Sequence, residues 1–356
     1  MGAIASLVEF TKVDGMTRQA FYDTLLMFWD QHWEKEFQQE FLAWRYGRRT
    51  DGETLVAMSG SKCIGMIDSF IRPYRIGGQE VLVREPCDWY CLPGNRGVGM
   101  RLLKFLIAQG EPVLGVGLSK GTMAIAPRMN WTRLLDTHDF ILPITARRVA
   151  GAILRKARLG DGSVAKYLPP GIRLRPNTAW TKHRDVDGEV EDLAPEDWPG
   201  EDWPNVVEGG GYAVAPILTK SYVQWLSSGP PSLGKVFRLA FRKKGALVGL
   251  TICRIEASKV GRKAKLIHLQ SSELNVKTLR WMIAENVYRA AQLEAESVHC
   301  RSSCPTTSAA LASLHFHLTA NEAVMAGFND RPIPSGPMNI TFLRDDDAMI
   351  PSLIAK

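Results

Sequence analysis

The sequence predicts an α/β protein of two successive units, each a mixed, mostly antiparallel sheet flanked by helices. Three observations carry this reading. From Gly78 to Ser119 an extended segment rich in Val, Trp and Tyr leads into a tight glycine turn, an amphipathic stretch and a short apolar strand, which is the order of a βαβ unit. From Ser221 onward the same order of elements recurs. Between the two, Pro, Gly and acidic residues dominate and periodicity vanishes, as expected of a connection. A length of 356 residues suits about two domains, expected over 1–165 and 212–356 with a connection at 166–211.

In chain order, residues 7–13 (LVEFTKV) form a first strand. Phe21, Leu25, Phe28 and Trp29 fall at helical spacing between Thr17 and Trp33, and a second helix holds Phe37, Phe41 and Trp44. Thr54 to Met58 and Cys63 to Arg72 make a hairpin around Ser59 to Lys62. The next strand carries Glu80, Glu85 and Asp88. Pro86 within it cannot donate to a sheet ladder, so the strand is expected to bulge or lie open there.

The turn that follows is Pro93-Gly94-Asn95-Arg96-Gly97-Val98-Gly99-Met100-Arg101. Gly97 and Gly99 let a ligand approach the backbone, and the helix starting there aims its unpaired N–H groups and positive dipole end into the loop. Arg96 and Arg101 add fixed charge, which suits a pyrophosphate. A Walker loop is excluded because no Gly-Lys-Ser/Thr follows at the required interval, and Gly94, Gly97 and Gly99 miss the G-x-G-x-x-G spacing of a dinucleotide fold. Leu102, Leu103, Leu106 and Ile107 then give the helix one buried face.

Pro93-Gly94-Asn95-Arg96-Gly97-Val98-Gly99, placed between a strand and an amphipathic helix, resembles the Pro-x-x-Arg-Gly-x-Gly acyl-CoA loop of the GCN5-related N-acetyltransferase (GNAT) superfamily. The resemblance implies two tandem GNAT-like domains with a splayed parallel strand pair, the second domain degenerate. It implies acetyl-CoA as co-substrate, with the backbone of Trp89, Tyr90, Cys91 and Leu92 meeting the pantetheine amides, and Asn95, Arg96, Gly97, Val98, Gly99, Met100 and Arg101 the pyrophosphate. The general base is then a carboxylate of the same strand: Asp88 or Glu85, with Glu80 behind them, each alternatively a structural partner of Arg84 or Arg96. Cys87 and Cys91 are read as core residues. Many relatives carry a proton-donating tyrosine on the short helix corresponding to 121–131; none stands there, leaving Ser119, Thr122 or no acid at all. Asn130-Trp131 takes the place of the closing Gly-Phe or Gly-Trp. Residues 40–47 (EFLAWRYG) resemble a Trp-[Lys/Arg]-Tyr segment of a branch associated with polysaccharide loci, and are read as a core-packed helix face.

Farther on, Asp136-Thr137-His138-Asp139 precedes a strand at Phe140 to Ile144, and His138 is read as a surface residue. Arg147, Arg148, Arg155, Lys156 and Arg158 stud an amphipathic helix; nucleic acid or a membrane surface would use such a helix, and a solvated face is the default. In the second half, Ser221 to Leu226 echoes Glu40 to Arg45, strands at Val236 to Arg242 and Leu247 to Ile255 echo the first hairpin, and Lys265 to Gln270 leads to a helix at Leu274 to Gln292. Only SSELNV stands where the glycine loop would be. Trp198 and Trp203 are expected to dock on a neighbour. His299, Cys300, Cys304, His315 and His317 have an unusual zinc spacing, and no metal is expected. Met338 to Leu343 is read as a strand, followed by the solvated triplet Asp345 to Asp347.

A net charge of +7 and six irregularly spaced cysteines fit a cytoplasmic protein with an anionic co-substrate, without a disulfide framework and without a need for nucleic acid. No apolar run reaches membrane-spanning length. Met1-Gly2 to Ser6 fits the loose N-myristoylation pattern, set aside because the chain reads as bacterial. The expected activity is N-acetyl transfer to a small-molecule or sugar amine by a monomer with pseudo-dimeric halves. The alternatives are a Fem-like aminoacyl transferase using aminoacyl-tRNA, against which the intact glycine loop argues, and a non-catalytic CoA-binding scaffold.

Overall fold

Strands β2 (Gly52–Ser59) and β3 (Lys62–Ile76) are apolar on both faces because both faces are covered. On one side Val56, Met66 and Phe70 pack with Phe41 and Trp44 of helix α1 (Lys35–Gly47). On the other, Leu55, Ile64 and Ile67 pack with Leu102, Leu103 and Leu106 of helix α2 (Val98–Ile107). Those three leucines are fully buried, each contributing about 1.5–3 kcal/mol by removal from water. The computed structural model describes residues 8–12, 20, 23–24, 35–47, 51–95, 97–156, 172–174, 180, 182–183, 187–199, 210–258, 261–328 and 334–341.

The remaining elements follow in order: β1 (Val8–Lys12) before α1; β4 (Gln79–Cys91) after β3; then β5 (Val113–Val116), α3 (Lys120–Ile125), β6 (Thr132–Pro143), α4 (Ala146–Lys156), β7 (Gly188–Asp192), β8 (Val214–Pro216), α5 (Lys220–Ser227), β9 (Lys235–Lys243), β10 (Ala246–Ser258), β11 (Gly261–Ser271), α6 (Val276–Gln292), β12 (Ser297–Ser302), α7 (Pro305–Ser313) and β13 (His317–Gly327). All the described strands form one sheet in the order β1-β2-β3-β4-β5-β13-β6-β12-β11-β10-β9-β7, with β8 added on β3. The pairing is antiparallel apart from β4 with β5 and β11 with β12.

The centre of this order is an exchange. Strand β6, which follows the first half, pairs with β12 of the second, and β13, the last strand of the second half, inserts between β5 and β6. Each half completes the other's sheet.

Several expectations shift. The β6 ladder runs unbroken through Asp136 to Asp139, so these residues lie inside the strand; β12 and β13 give its polar side chains partners, with Asp139 holding Arg301 at 2.6 Å. Strand β5 stops at Val116 because Gly117 turns the chain with φ 68°. Within the stretch read as connection, β7 pairs with β9 as an edge strand, and Trp198 is buried, its indole N–H donating to Leu218 O at 3.1 Å. In the described part (338–341) of the strand expected from Met338 to Leu343, the strand pairing is a single bridge between Met338 and Val214. Arg96, Trp203, Asp345 to Asp347 and most of 17–33 lie outside the described residues.

Candidate active site

Strands β4 and β5 are parallel and pair only at Arg84 with Val113, where the Arg84 amide donates to Pro112 O at 2.8 Å. Beyond that point they part, so one edge of β4 from Pro86 to Leu92 faces a gap instead of a neighbouring strand. The vertex is rigid: the Arg84 guanidinium bonds Glu53 at 2.7 Å and Glu111 at 3.0 Å.

The gap opens onto the glycine loop. Gly97 caps helix α2 with φ 84°, a conformation that costs any other residue type strain. The first turn of the helix contains no acidic residue, so its positive end is left for an external anion. Gly99 is required for a different reason. A Cβ there would meet the Trp89 indole nitrogen at 3.1 Å and Cys91 Sγ at 3.2 Å, and the Trp89 N–H donates to Gly99 O at 3.1 Å. Trp89 and Cys91 thus form the floor under the loop, and burial pushes the Cys91 thiol up, which keeps it an unreactive core group. Asn95 is held by its amide to Leu92 O, Met100 is partly buried, and Arg101 and Tyr90 are exposed beside the gap.

The bulge expected near Pro86 falls two residues later. The β3 register places Asp68 opposite Cys87 and Met66 opposite Tyr90, so Asp88 and Trp89 together face Ile67. Asp88 takes φ 44° there, and the irregularity turns its side chain toward α1. Its Oδ2 accepts from Arg45 Nε at 2.6 Å and from the Tyr46 hydroxyl at 2.7 Å. Its Oδ1 is buried and has no hydrogen-bond partner among the described residues. Burial and the negative Asp88 hold the Tyr46 phenol well above its ordinary range, so it stays a donor. Asp68, fully buried, accepts from Thr54 Oγ1 at 2.7 Å and from Cys87 Sγ at 3.4 Å. The ligand atoms of Asp68, Cys87 and Asp88 lie within 4.8 Å of one another. Two carboxylates therefore converge on the bulge.

The other two candidate bases stand elsewhere. Glu85 is buried one residue past the vertex, where Tyr74 donates its hydroxyl to Oε1 and Arg72 pairs with Oε2 at 3.0 Å. Glu80 is exposed beside the β3–β4 turn, opposite Arg75, about 25 Å along the strand from Asp88 at about 3.3 Å per residue. Neither Glu85 nor Asp88 takes Arg84 as partner. Sequence reasoning singled out neither Asp68 nor the Arg45–Tyr46 clamp; the signal for the latter was the Trp44-Arg45-Tyr46 run itself, read only as packing.

Helix α3 closes the far side. Ser119 caps it by accepting from the Thr122 amide at 3.2 Å, with the two hydroxyls 3.0 Å apart, so both expected substitutes for the missing tyrosine are engaged in capping. Asn130 adopts a left-handed conformation with φ 58°, which explains how Asn serves where relatives use Gly.

The second half repeats the splay without the opening. Strands β11 and β12 pair over Lys263 to Leu266 with Ser297 to Cys300 and then part. Chain fills the space: Asn339 donates to Gln270 Oε1 at 3.2 Å, and Ser303 Oγ bonds Met338 O and the Ile340 amide. At the start of α6 the Glu273 carboxylate accepts from Lys243 at 2.7 Å and Thr278 at 2.6 Å, while Asn275 caps the Thr278 amide. An internal anion sits where the first half leaves room for an external one. Among the described residues His299, Cys300, Cys304, His315 and His317 do not converge; His299 instead bonds Ser297 at 3.1 Å.

No protein-family model matches the chain, and no curated protein is similar to it. Solved structures are. This chain shares its fold with the following acyltransferases. A GCN5-related N-acetyltransferase from Anabaena variabilis aligns with a TM-score of 0.58 at 12% identity over 90% of this chain and 73% of its own. The N-myristoyltransferase of Saccharomyces cerevisiae, solved with bound myristoyl-CoA, aligns with a TM-score of 0.58 at 11% identity over 94% and 85%. A probable N-acyltransferase of Enterococcus faecalis aligns at 0.55 and 11% over 90% and 73%.

Proposed function

We propose that the chain is an acyl-CoA-dependent N-acyltransferase, most simply an N-acetyltransferase, acting on an amine acceptor such as an amino sugar or polysaccharide precursor. The observation that carries it is the parting of β4 and β5 beyond Arg84, with the open edge of β4 ending on the Gly97 loop and the uncapped positive end of α2. That arrangement suits a ligand with amides along its length and phosphates at one end. The solved neighbours of the same fold include one holding myristoyl-CoA.

Bound acyl-CoA supplies the activated thioester carbonyl. The chain supplies the rest. Amides along residues 89–92 meet the pantetheine, and residues 95–101 the pyrophosphate. Asp88 Oδ1 takes a proton from the attacking amine as its nitrogen bonds the thioester carbonyl carbon, the C–S bond breaks and CoA leaves as a thiolate that is protonated by solvent, while Arg45 and Tyr46 hold Oδ2 and fix the carboxylate's orientation. Residues 1–165 bind the co-substrate and residues 212–356 shape the acceptor side. Direct transfer needs no enzyme nucleophile, consistent with the raised thiol of half-buried Cys91 at the site.

The test is calorimetric titration with acetyl-CoA and longer acyl-CoAs, followed by an amine screen with free-thiol detection. Gly97→Glu is expected to abolish binding with the circular dichroism spectrum unchanged. Binding of wild type and variant with equal affinity would overturn the reading.

A further inference from the structure

The positive charge of the chain is concentrated in one stretch of the sequence. Residues 140–184 hold ten of the 44 basic residues and one, Asp161, of the 37 acidic ones. The remainder of the chain is slightly acidic. The described part of this stretch is the end of β6, helix α4, residues 180 and 182–183, and the segment 172–174, which runs beside the start of the helix. Thr145 and Arg173 form an antiparallel bridge, the Ala146 amide donates to Ile172 O at 2.8 Å, and the Leu174 amide donates to Ile144 O at 2.9 Å.

Large aliphatic side chains stand in water on this basic element. Ile153 on α4 is 61% exposed, and Ile172 and Leu174 are 57% and 48% exposed. A cleft of about 450 Å³ adjoins them, lined by Arg147, Arg173 and Arg262 among others. Two of these arginines reach across it to carboxylates, Arg147 to Glu296 at 3.3 Å and Arg262 to Glu294 at 3.1 Å, so the cleft itself is mixed in sign while the stretch around it is not.

Cations and exposed aliphatics together select one class of partner. A nucleic-acid backbone would engage the arginines and lysines and gain nothing from three isoleucine and leucine side chains. A solvated helix would carry the charges without exposing the aliphatic side chains. A bilayer with anionic headgroups uses both, since its surface attracts the cations and its headgroup–acyl boundary accepts the aliphatics. We propose that the α4 surface docks on an anionic lipid bilayer, with Ile153, Ile172 and Leu174 entering the boundary layer and Arg148 and Arg173 beside them meeting lipid phosphates. The chain then works at a membrane surface without crossing it. The proposal is independent of the acyl-transfer reading.

Co-sedimentation of the full chain with vesicles tests it. The expected result is binding to mixed phosphatidylcholine–phosphatidylglycerol vesicles at about 0.1 M salt, where the Debye length is about 10 Å, with little binding to phosphatidylcholine alone and release as salt rises. Ile153→Asp combined with Leu174→Asp should lower the bound fraction roughly tenfold, because aliphatic burial is lost and like charge is added. Both positions are exposed, and an unchanged thermal melt establishes that the variant folds. Absence of binding to the mixed vesicles would overturn the proposal, as would undiminished binding of the double variant. Retention of a single-stranded or duplex RNA in place of vesicles would assign the surface to nucleic acid and overturn it as well.

Discussion

Trp44 and Trp225 lie face to face across the two halves, ring centroids 4.5 Å apart and planes within 1° of parallel. Each indole N–H donates to the other residue's carbonyl oxygen, at 2.8 Å and 2.9 Å. The two residues hold matching places on α1 and α5, and reciprocity of this kind, i to j and j to i, is the mark of a two-fold axis. One chain thus contains an isologous interface between its own halves, with Phe70 and Tyr222 packed around it.

Trp44→Ala and Trp225→Ala are each expected to cost about 3–5 kcal/mol of stability. The double variant should cost clearly less than the sum, because each single change already removes the shared stack and both hydrogen bonds. Urea denaturation measures this; strict additivity would contradict the coupled pair.

Much of this was readable in advance, and the reasons differ by element. The glycine loop, the leucine face of α2 and the echo of Trp44 in Trp225 are local patterns, so spacing alone exposes them. The bulge was tied to Pro86 by its missing donor, yet it settles at Asp88, since a register is fixed by the neighbouring strand and not by one residue. Asp68 gave no signal, because only the pairing of β3 with β4 brings it to Cys87 and Asp88. Strand β7 escaped notice for a related reason: its acidic residues read as linker until β9 supplies Arg242 opposite Glu189 and beside Glu191.

Asp88→Asn should lower turnover by about 10²-fold or more while leaving acyl-CoA affinity nearly unchanged, and Glu80→Gln should do neither. The Asn variant leaves the buried Arg45 without its charge partner, at a cost of about 3–5 kcal/mol, so turnover belongs below its melting range. Steady-state kinetics beside calorimetry separates the two effects. Normal turnover in Asp88→Asn would move the base to another group.

Acid should destabilise the protein through His299. Desolvation first, then the neighbouring cations Lys263, Arg148 and Lys265, hold its imidazole well below the ordinary value. The folded state therefore keeps His299 neutral while the unfolded chain takes up a proton below about pH 6.5. Stability contributed by this group is present above that pH and lost as pH falls toward the folded-state value, by at most about 1.4 kcal/mol per pH unit. Denaturation midpoints between neutrality and mild acid should fall more steeply for wild type than for His299→Gln. Parallel slopes would refute the assignment.

One acyl-CoA should bind per chain. Hydrogen bonds from Lys243, then Thr278, hold the Glu273 carboxylate below its usual range, so it stays ionised at the start of α6 and repels a second pyrophosphate. Calorimetric stoichiometry checks this, and two sites per chain would contradict it.

Strand β13 completes the first sheet beside β5, yet roughly two hundred residues of chain separate them. At about 5–20 residues per second of synthesis, β5 waits on the order of ten to forty seconds for its neighbour to emerge from the ribosome. During that interval the nascent first half exposes an open sheet edge, the surface most prone to wrong pairing. Production of this protein should therefore depend on chaperones that hold nascent chains more than on the stability of the finished fold.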